Sequence, residues 1–237
     1  NQPPVAANVT NAVVTSTAGA VSLTPGLSGT DADGTVVTYT VTTLPTAAMG
    51  TLSCSGTAIA SVPSSCAPAN LTFTPNPAFD GNATFQYTVT DDNGATSAAA
   101  TYTIPVNRPP VAVNDASSTD PGVSVTFSVT GNDTDTAPGT VNAATVDLDP
   151  ATPGRQTTFT DPGKGTFTVD NAGNVTFTPA PGFTTGTSSV TYTVQDNQGA
   201  TSNVATISVA VPASVDLAIT KAGPAYFRPG ETVSYTL

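Results

Sequence analysis

Almost the same words occur twice in this chain, and that constrains its fold more than any local motif does. Asn1, Gln2, Pro3, Pro4, Val5, Ala6 returns as Asn107, Arg108, Pro109, Pro110, Val111, Ala112. Further on, Tyr87, Thr88, Val89, Thr90, Asp91, Asp92, Asn93, Gly94 returns as Tyr192, Thr193, Val194, Gln195, Asp196, Asn197, Gln198, Gly199. The offset agrees at both places to within one residue, so the 237 residues hold two copies of one module, 1–106 and 107–211. Each copy has the size, about a hundred residues, at which domains commonly fold on their own. From Pro212 the vocabulary changes, and residues 212–237 read as the truncated start of a different β-sandwich repeat.

Inside each copy the hydrophobic period is two. Val37, Tyr39 and Val41 alternate with threonines, Phe85, Tyr87 and Val89 share one face of a strand, and Val190, Tyr192 and Val194 do the same in the second copy. Such alternation is the mark of half-buried strands. Threonine suits their solvent face because its branched side chain fits the pleat. Val123, Val125, Phe127 and Val129 predict another strand with one buried face, and hairpins are expected at 50–54 with 71–74 and at 165–169 with 175–178. Short strands punctuated by Gly, Pro, Asn and Asp, with no helical period, predict an all-β chain: tandem antiparallel β-sandwich domains in a linear array.

Charge narrows the partners. Five Lys and Arg stand against 16 Asp and Glu, a net −11. Neutralising phosphates takes clustered basic residues that this chain lacks, so a nucleic-acid partner is excluded and divalent cations are the natural counter-ions. Histidine is absent, which removes the commonest metal-binding imidazole and general base together. Cys54 and Cys66 are too far apart for a CxxC motif and read first as a local disulfide at the end of a hairpin, with a zinc site as the weaker alternative. Closing such a loop stabilises by about 3 kcal/mol in the chain-entropy model, and it points to an oxidising compartment. No apolar run is long enough to span a bilayer, so no membrane insertion is expected in this segment. The chain stops at Leu237 within a strand-like run, which suggests a piece of a longer exported protein.

The acidic loops are the candidate sites. Asp31 and Asp33 precede one strand and Asp91 and Asp92 follow another; Asn132, Asp133, Asp135 and Asp196 form the corresponding set in the second copy. In a sandwich such loops can meet at one pole. Hard oxygen ligands in loops suit calcium; the competing reading is that Asp, Asn and Gly populate turns by bonding their own backbone. Asn107, Asn114 and Asp115 are weaker candidates for a site at the junction between copies.

These words resemble the bacterial cadherin-like and immunoglobulin-like tandem repeats of large secreted surface proteins and adhesins. The resemblance rests on Asn107 to Ala112, on Gly131, Asn132, Asp133, Thr134, Asp135, on Phe177 to Phe183, and on Tyr192 to Asp196. Residues 215–237, opening Asp216, Leu217, Ala218, Ile219, Thr220, Lys221, look like the start of another bacterial cell-surface repeat. The resemblance implies an extracellular structural chain at a bacterial surface. The first copy departs from the pattern where Asn8 and Val9 stand against Asn114 and Asp115.

Catalysis is not expected: there is no histidine base, and neither Lys164 nor Lys221 sits in a nucleophile motif. The leading expectation is a structural segment that extends and stiffens a surface protein, adhesin stalk or fibre, with neighbouring repeats of the same chain as partners and calcium as cofactor. One alternative is a filament subunit that self-associates by β-strand addition through residues 1–9 or 215–237. Another is a module binding receptors or host or surface glycans.

Overall fold

Where threonine alternates with apolar residues, a segment can bury one face and hydrate the other, and among the described residues these segments pair into sheets. The computed structural model describes residues 1–213; the strands expected in 215–237 lie outside the described residues. In repeat 1 the strands are β1 (Val5–Ala6), β2 (Val9–Thr10), β3 (Val14–Thr15), β4 (Val21–Ser22), β5 (Gly29–Thr30), β6 (Val36–Thr43), β7 (Gly50–Cys54), β8 (Thr57–Ala58), β9 (Ser64–Ser65), β10 (Leu71–Pro75), β11 (Gly81–Asp91) and β12 (Ala100–Asn107). Repeat 2 contributes β13 (Asp115–Ser118), β14 (Val125–Ser128), β15 (Val141–Asp147), β16 (Thr158–Asp161), β17 (Gly165–Val169), β18 (Asn174–Pro179), β19 (Gly186–Asp196) and β20 (Ala205–Val211).

Each repeat is a two-sheet sandwich. Repeat 1 packs β4-β10-β7-β8 against β2-β12-β11-β6-β9, and repeat 2 packs β14-β18-β17-β16 against β13-β20-β19-β15. Most pairings are antiparallel, but β2 and β3 run parallel to β12, and β13 runs parallel to β20. Each repeat's opening segment thus lies beside its own closing strand. The cores are separate: one gathers residues from Val9 to Val106 around Phe73, Phe85, Tyr87 and Tyr102, the other residues from Ala112 to Val211 around Phe167, Phe177 and Tyr192. Phe85 stacks on Tyr102 at 5.0 Å and Phe167 tilts against Phe177 at 4.7 Å between ring centroids. Truncating such a ring to alanine costs about 3–5 kcal/mol.

Three expectations need correction. Val37 is exposed rather than facing the core with Val41, because the β6–β11 register slips between Thr90 and Asp91. Val123 is exposed as well: it lies before β14 in a turn where its N–H donates to the Asp120 carbonyl at 3.1 Å. The disulfide forms, but it does not close a hairpin. Cys54 ends β7, which pairs with β10, whereas Cys66 follows β9 on the opposite sheet, so the bond joins the two sheets.

The first residue of β7 and of β17 is a glycine in the left-handed half of φ space, Gly50 at 147° and Gly165 at 157°. A Cβ on Gly50 would collide with the Thr74 carbonyl oxygen and sit 2.6 Å from the Phe73 ring; on Gly165 it would lie 2.5 Å from the Thr178 carbonyl and 2.6 Å from the Phe177 ring. Backbone and core rings cannot step aside cheaply. Gly50→Ala and Gly165→Ala should each destabilise their own repeat by about 1–3 kcal/mol, seen in denaturant unfolding as an earlier transition.

Candidate cation sites at the module poles

One constellation of residues is built twice. Val5 pairs with Thr30 and Val111 bridges to Thr134, which places Asp31 and Asp135 at the same structural position. The turn after the long central strand supplies Asp91 and Asp196, both buried. In each turn the carboxylate caps the backbone: Asp91 Oδ1 accepts from the N–H groups of Asn93 and Ala95, and Asp196 Oδ1 from those of Gln198 and Ala200. The first residue of each module then reaches over. Asn1 Nδ2 donates to Asp91 Oδ2 at 2.9 Å, and Asn107 Nδ2 donates to Asp196 Oδ2 at 2.7 Å. The Asn1 amide, donating to it, is the first cause that holds the pKa of Asp91 below the usual carboxylate range.

Within this frame some carboxylate oxygens face nothing that can donate. Both oxygens of Asp31 are buried without a hydrogen-bond partner among the described residues, and so is Oδ2 of Asp135. A glycine lies against each of them. A Cβ at Gly34 would stand 2.5 Å from Asp92 Oδ1 and 2.6 Å from Asp31 Oδ2, and one at Gly139 would collide with Asp135 Oδ2. Asp33 is spent otherwise, accepting from the Gln2 N–H at 3.2 and 3.0 Å. Repeat 2 adds a residue from its neighbour: Asp80, between β10 and β11 of repeat 1, also has a buried Oδ2 without a partner. Burial raises the pKa of Asp135, and the negative charges of Asp196 and Asp80 raise it further.

The set Asn132, Asp133, Asp135 and Asp196 therefore divides. Asp135 and Asp196 share the pole with Asn107, whereas Asp133 turns toward Tyr192, whose hydroxyl lies 3.0 Å from Asp133 Oδ1, 3.0 Å from the Val113 carbonyl and 2.9 Å from the Val129 carbonyl. Asp115 joins this second group, its Oδ2 buried and unpartnered among the described residues. One hydroxyl proton faces several acceptors. Burial, reinforced by the charge of Asp133, lifts the Asp115 carboxyl to about 6, and burial raises Asp133 as well. Asn132 donates to the Asn114 carbonyl at 3.4 Å, and the Asn114 side chain accepts from the Thr206 N–H at 2.8 Å, so Asn114 serves the backbone. Asp80, Asn1, Gly34, Gly139 and Tyr192 border these candidate sites and were not singled out from the sequence as candidates. Only the correspondence of Asn1 with Asn107 was there to be used.

Among the described residues no three Asp, Glu, Cys or His side chains form a ready metal cluster. At each pole the Asn1 or Asn107 amide turns its nitrogen to a carboxylate, while its oxygen accepts from Asn93 or Gln198. Unpartnered hard oxygens beside a side-chain-free glycine nevertheless have the chemistry that a calcium ion satisfies. Among the described residues no helix is long and apolar enough to cross a membrane.

Residues 1–104 match the model of the bacterial Ig domain and residues 107–213 that of the bacterial cadherin-like domain. The chain is a tandem of these two bacterial domain types, which are typical of extracellular adhesive or structural proteins and are typically non-enzymatic. No curated protein matches it. Among solved structures it is similar to Drosophila N-cadherin EC1-4 at 12% identity, over 89% of this chain and 50% of that one, with a TM-score of 0.36. Mouse Cadherin-23 EC22-24 gives 16% identity over 89% and 67%, with a TM-score of 0.40. An endo-fucoidan hydrolase of glycoside hydrolase family 107 gives 16% over 91% and 29%, with a TM-score of 0.32. The chain spans about half the length of the first of these, and at such TM-scores none carries an argument about function.

The Asp115 group has a pH consequence. A carboxyl raised from 3.8 to about 6 in the folded chain contributes stability that is complete below 3.8 and is lost as pH rises through about 6. Asp91 and Asp170, held low, act in the opposite direction. The difference between wild type and Asp115→Asn isolates the effect. In metal-free protein, the stability of wild type relative to the variant should fall across that window, as read from urea midpoints at a series of pH values.

Proposed function

We propose that this chain is a structural repeat segment of a bacterial extracellular surface protein, an adhesin stalk or fibre, whose modules are stiffened at their poles by calcium. The observation that carries the reading is the duplicated pole. Asn1, Asp31 and Asp91 in repeat 1 correspond to Asn107, Asp135 and Asp196 in repeat 2, and at the second pole Asp80 arrives from the module before. Residues of two modules that share one cation cannot reorient independently. When bound, calcium would neutralise the carboxylates of Asp31, Asp80 and Asp135, adding to the charge that Arg108 already brings near Asp135; Gly34 and Gly139 keep the space beside Asp31 and Asp135 open.

The rest of the chain suits a spacer. Modules 1–106 and 107–211 are joined through Asn107, Arg108, Pro109 and Pro110, and two prolines make a short, semi-rigid link. A sugar-binding reading finds less support, because no aromatic ring is exposed among the described residues to serve as a stacking platform.

A ligand that binds only the folded chain stabilises it by about 2.7 kcal/mol at a hundred times its dissociation constant. Millimolar calcium should therefore raise the unfolding midpoint of the chelated chain by several degrees. Asp31→Asn should remove part of that rise, Asp135→Asn another part, and the double variant all of it. A wild-type melting curve that calcium leaves unmoved would count against the proposal.

A further inference from the structure

The two repeats close the same sheet edge by different means. In repeat 1, β6 is eight residues of Val, Thr and Tyr without a charge or a proline, and it would be the edge of its sheet but for the two residues of β9. Ser64 and Ser65 pair with Val41 and Thr40, the Thr40 and Ser65 hydroxyls meet at 3.1 Å, and the Cys66 N–H donates to the Tyr39 carbonyl at 3.0 Å. The chain leading to β9 is exposed almost throughout from Ser55 to Ser65. Its anchor is Cys66, 5% exposed and bonded to Cys54 on the opposite sheet.

Repeat 2 has no cysteine, and its edge strand β15 is guarded without a covalent bond. Its register with β19 slips between Asn142 and Asp147, Arg155 Nε donates to the Val146 carbonyl at 2.9 Å, and the Gln156 N–H donates to Asp147 Oδ1 at 2.9 Å. A bulged edge carrying charge is a poor template for another strand. β6 also slips against β11, at Val37 and at Thr42, but between those slips Thr38 to Val41 is regular and uncharged, and there repeat 1 has only the tethered strand.

We infer that the Cys54–Cys66 bond is an edge guard: it holds β9 on β6, and without it β6 pairs antiparallel with β6 of a second copy of this chain. A second copy is the occupant that the charges favour. On a chain of net charge −11 most other surfaces repel their like, whereas an uncharged Val-Thr-Tyr strand set against itself opposes no charges and extends both sheets.

The test compares the wild-type chain with Cys54→Ser/Cys66→Ser in sedimentation equilibrium, with circular dichroism alongside. The double variant should stay folded and dimerise at least tenfold more tightly than wild type. Adding Thr40→Lys near the centre of β6 places two lysines close to the dimer axis and should return it to monomer, while Thr40→Lys alone stays folded. A folded variant that remains monomeric overturns the inference. So does a variant that unfolds, because the bond would then hold the domain rather than its edge, and so does a dimer indifferent to Thr40→Lys.

Discussion

The arrangement depends on one buried hydroxyl in each repeat. Tyr87 reaches from the central strand β11 to the carbonyls of Ala7 and Ser28, and Tyr192 reaches from β19 to those of Val113 and Val129. Each ring is fully buried, so its hydroxyl has no water to fall back on and must meet the backbone there. That contact ties the opening segment of a module to the loop before its acidic residues. It sets where Asn1 and Asn107 arrive, and hence which carboxylates gather at the pole. In repeat 1 a second tyrosine, Tyr102, adds bonds to Asn11 Oδ1 and to the Pro25 carbonyl.

On this common frame the two repeats solve local problems separately. Around the tying tyrosine, repeat 1 uses the apolar Val9 and the small Gly29, while repeat 2 has Asp115 and Asp133 in their places and accepts two carboxylates beside a phenol. Beside the edge strand, repeat 1 has the short β9 next to the disulfide, and repeat 2 has Arg155 donating to the Val146 carbonyl. The poles, by contrast, keep one asparagine and two aspartates in both, Asn1, Asp31 and Asp91 against Asn107, Asp135 and Asp196. A feature kept while its surroundings diverge is the natural place to look for what the array needs.

Much of this was legible in the sequence, for a physical reason. Burial on one face imposes a period of two, so the faces of β11 and β19 could be read residue by residue. Where local sheet geometry intervened, the pattern misled: Val37 and Val123 look like core valines until a register slip and a turn expose them. Residues 141–147 and 158–161 carried too few alternating apolar side chains to announce β15 and β16. The acidic loops could be read from the sequence as candidates, but not how their side chains group. Asp133 and Asp135 are two residues apart, and it is the bridge between Val111 and Thr134 that sends one toward Tyr192 and the other to the pole. Asp80 gave no sign in the sequence, because the carboxylate its charge acts on, Asp135, belongs to the next module.

The central claim is that the poles lock module to module through a shared cation, and small-angle X-ray scattering of the whole chain tests it most directly. The expected result is a long, fixed maximum dimension in calcium and a distribution that broadens once chelator removes the ion. Superimposable curves from a sample shown by elemental analysis to be metal-free would contradict it, leaving Asp31, Asp80 and Asp135 as turn residues and the rigidity of the array to its prolines.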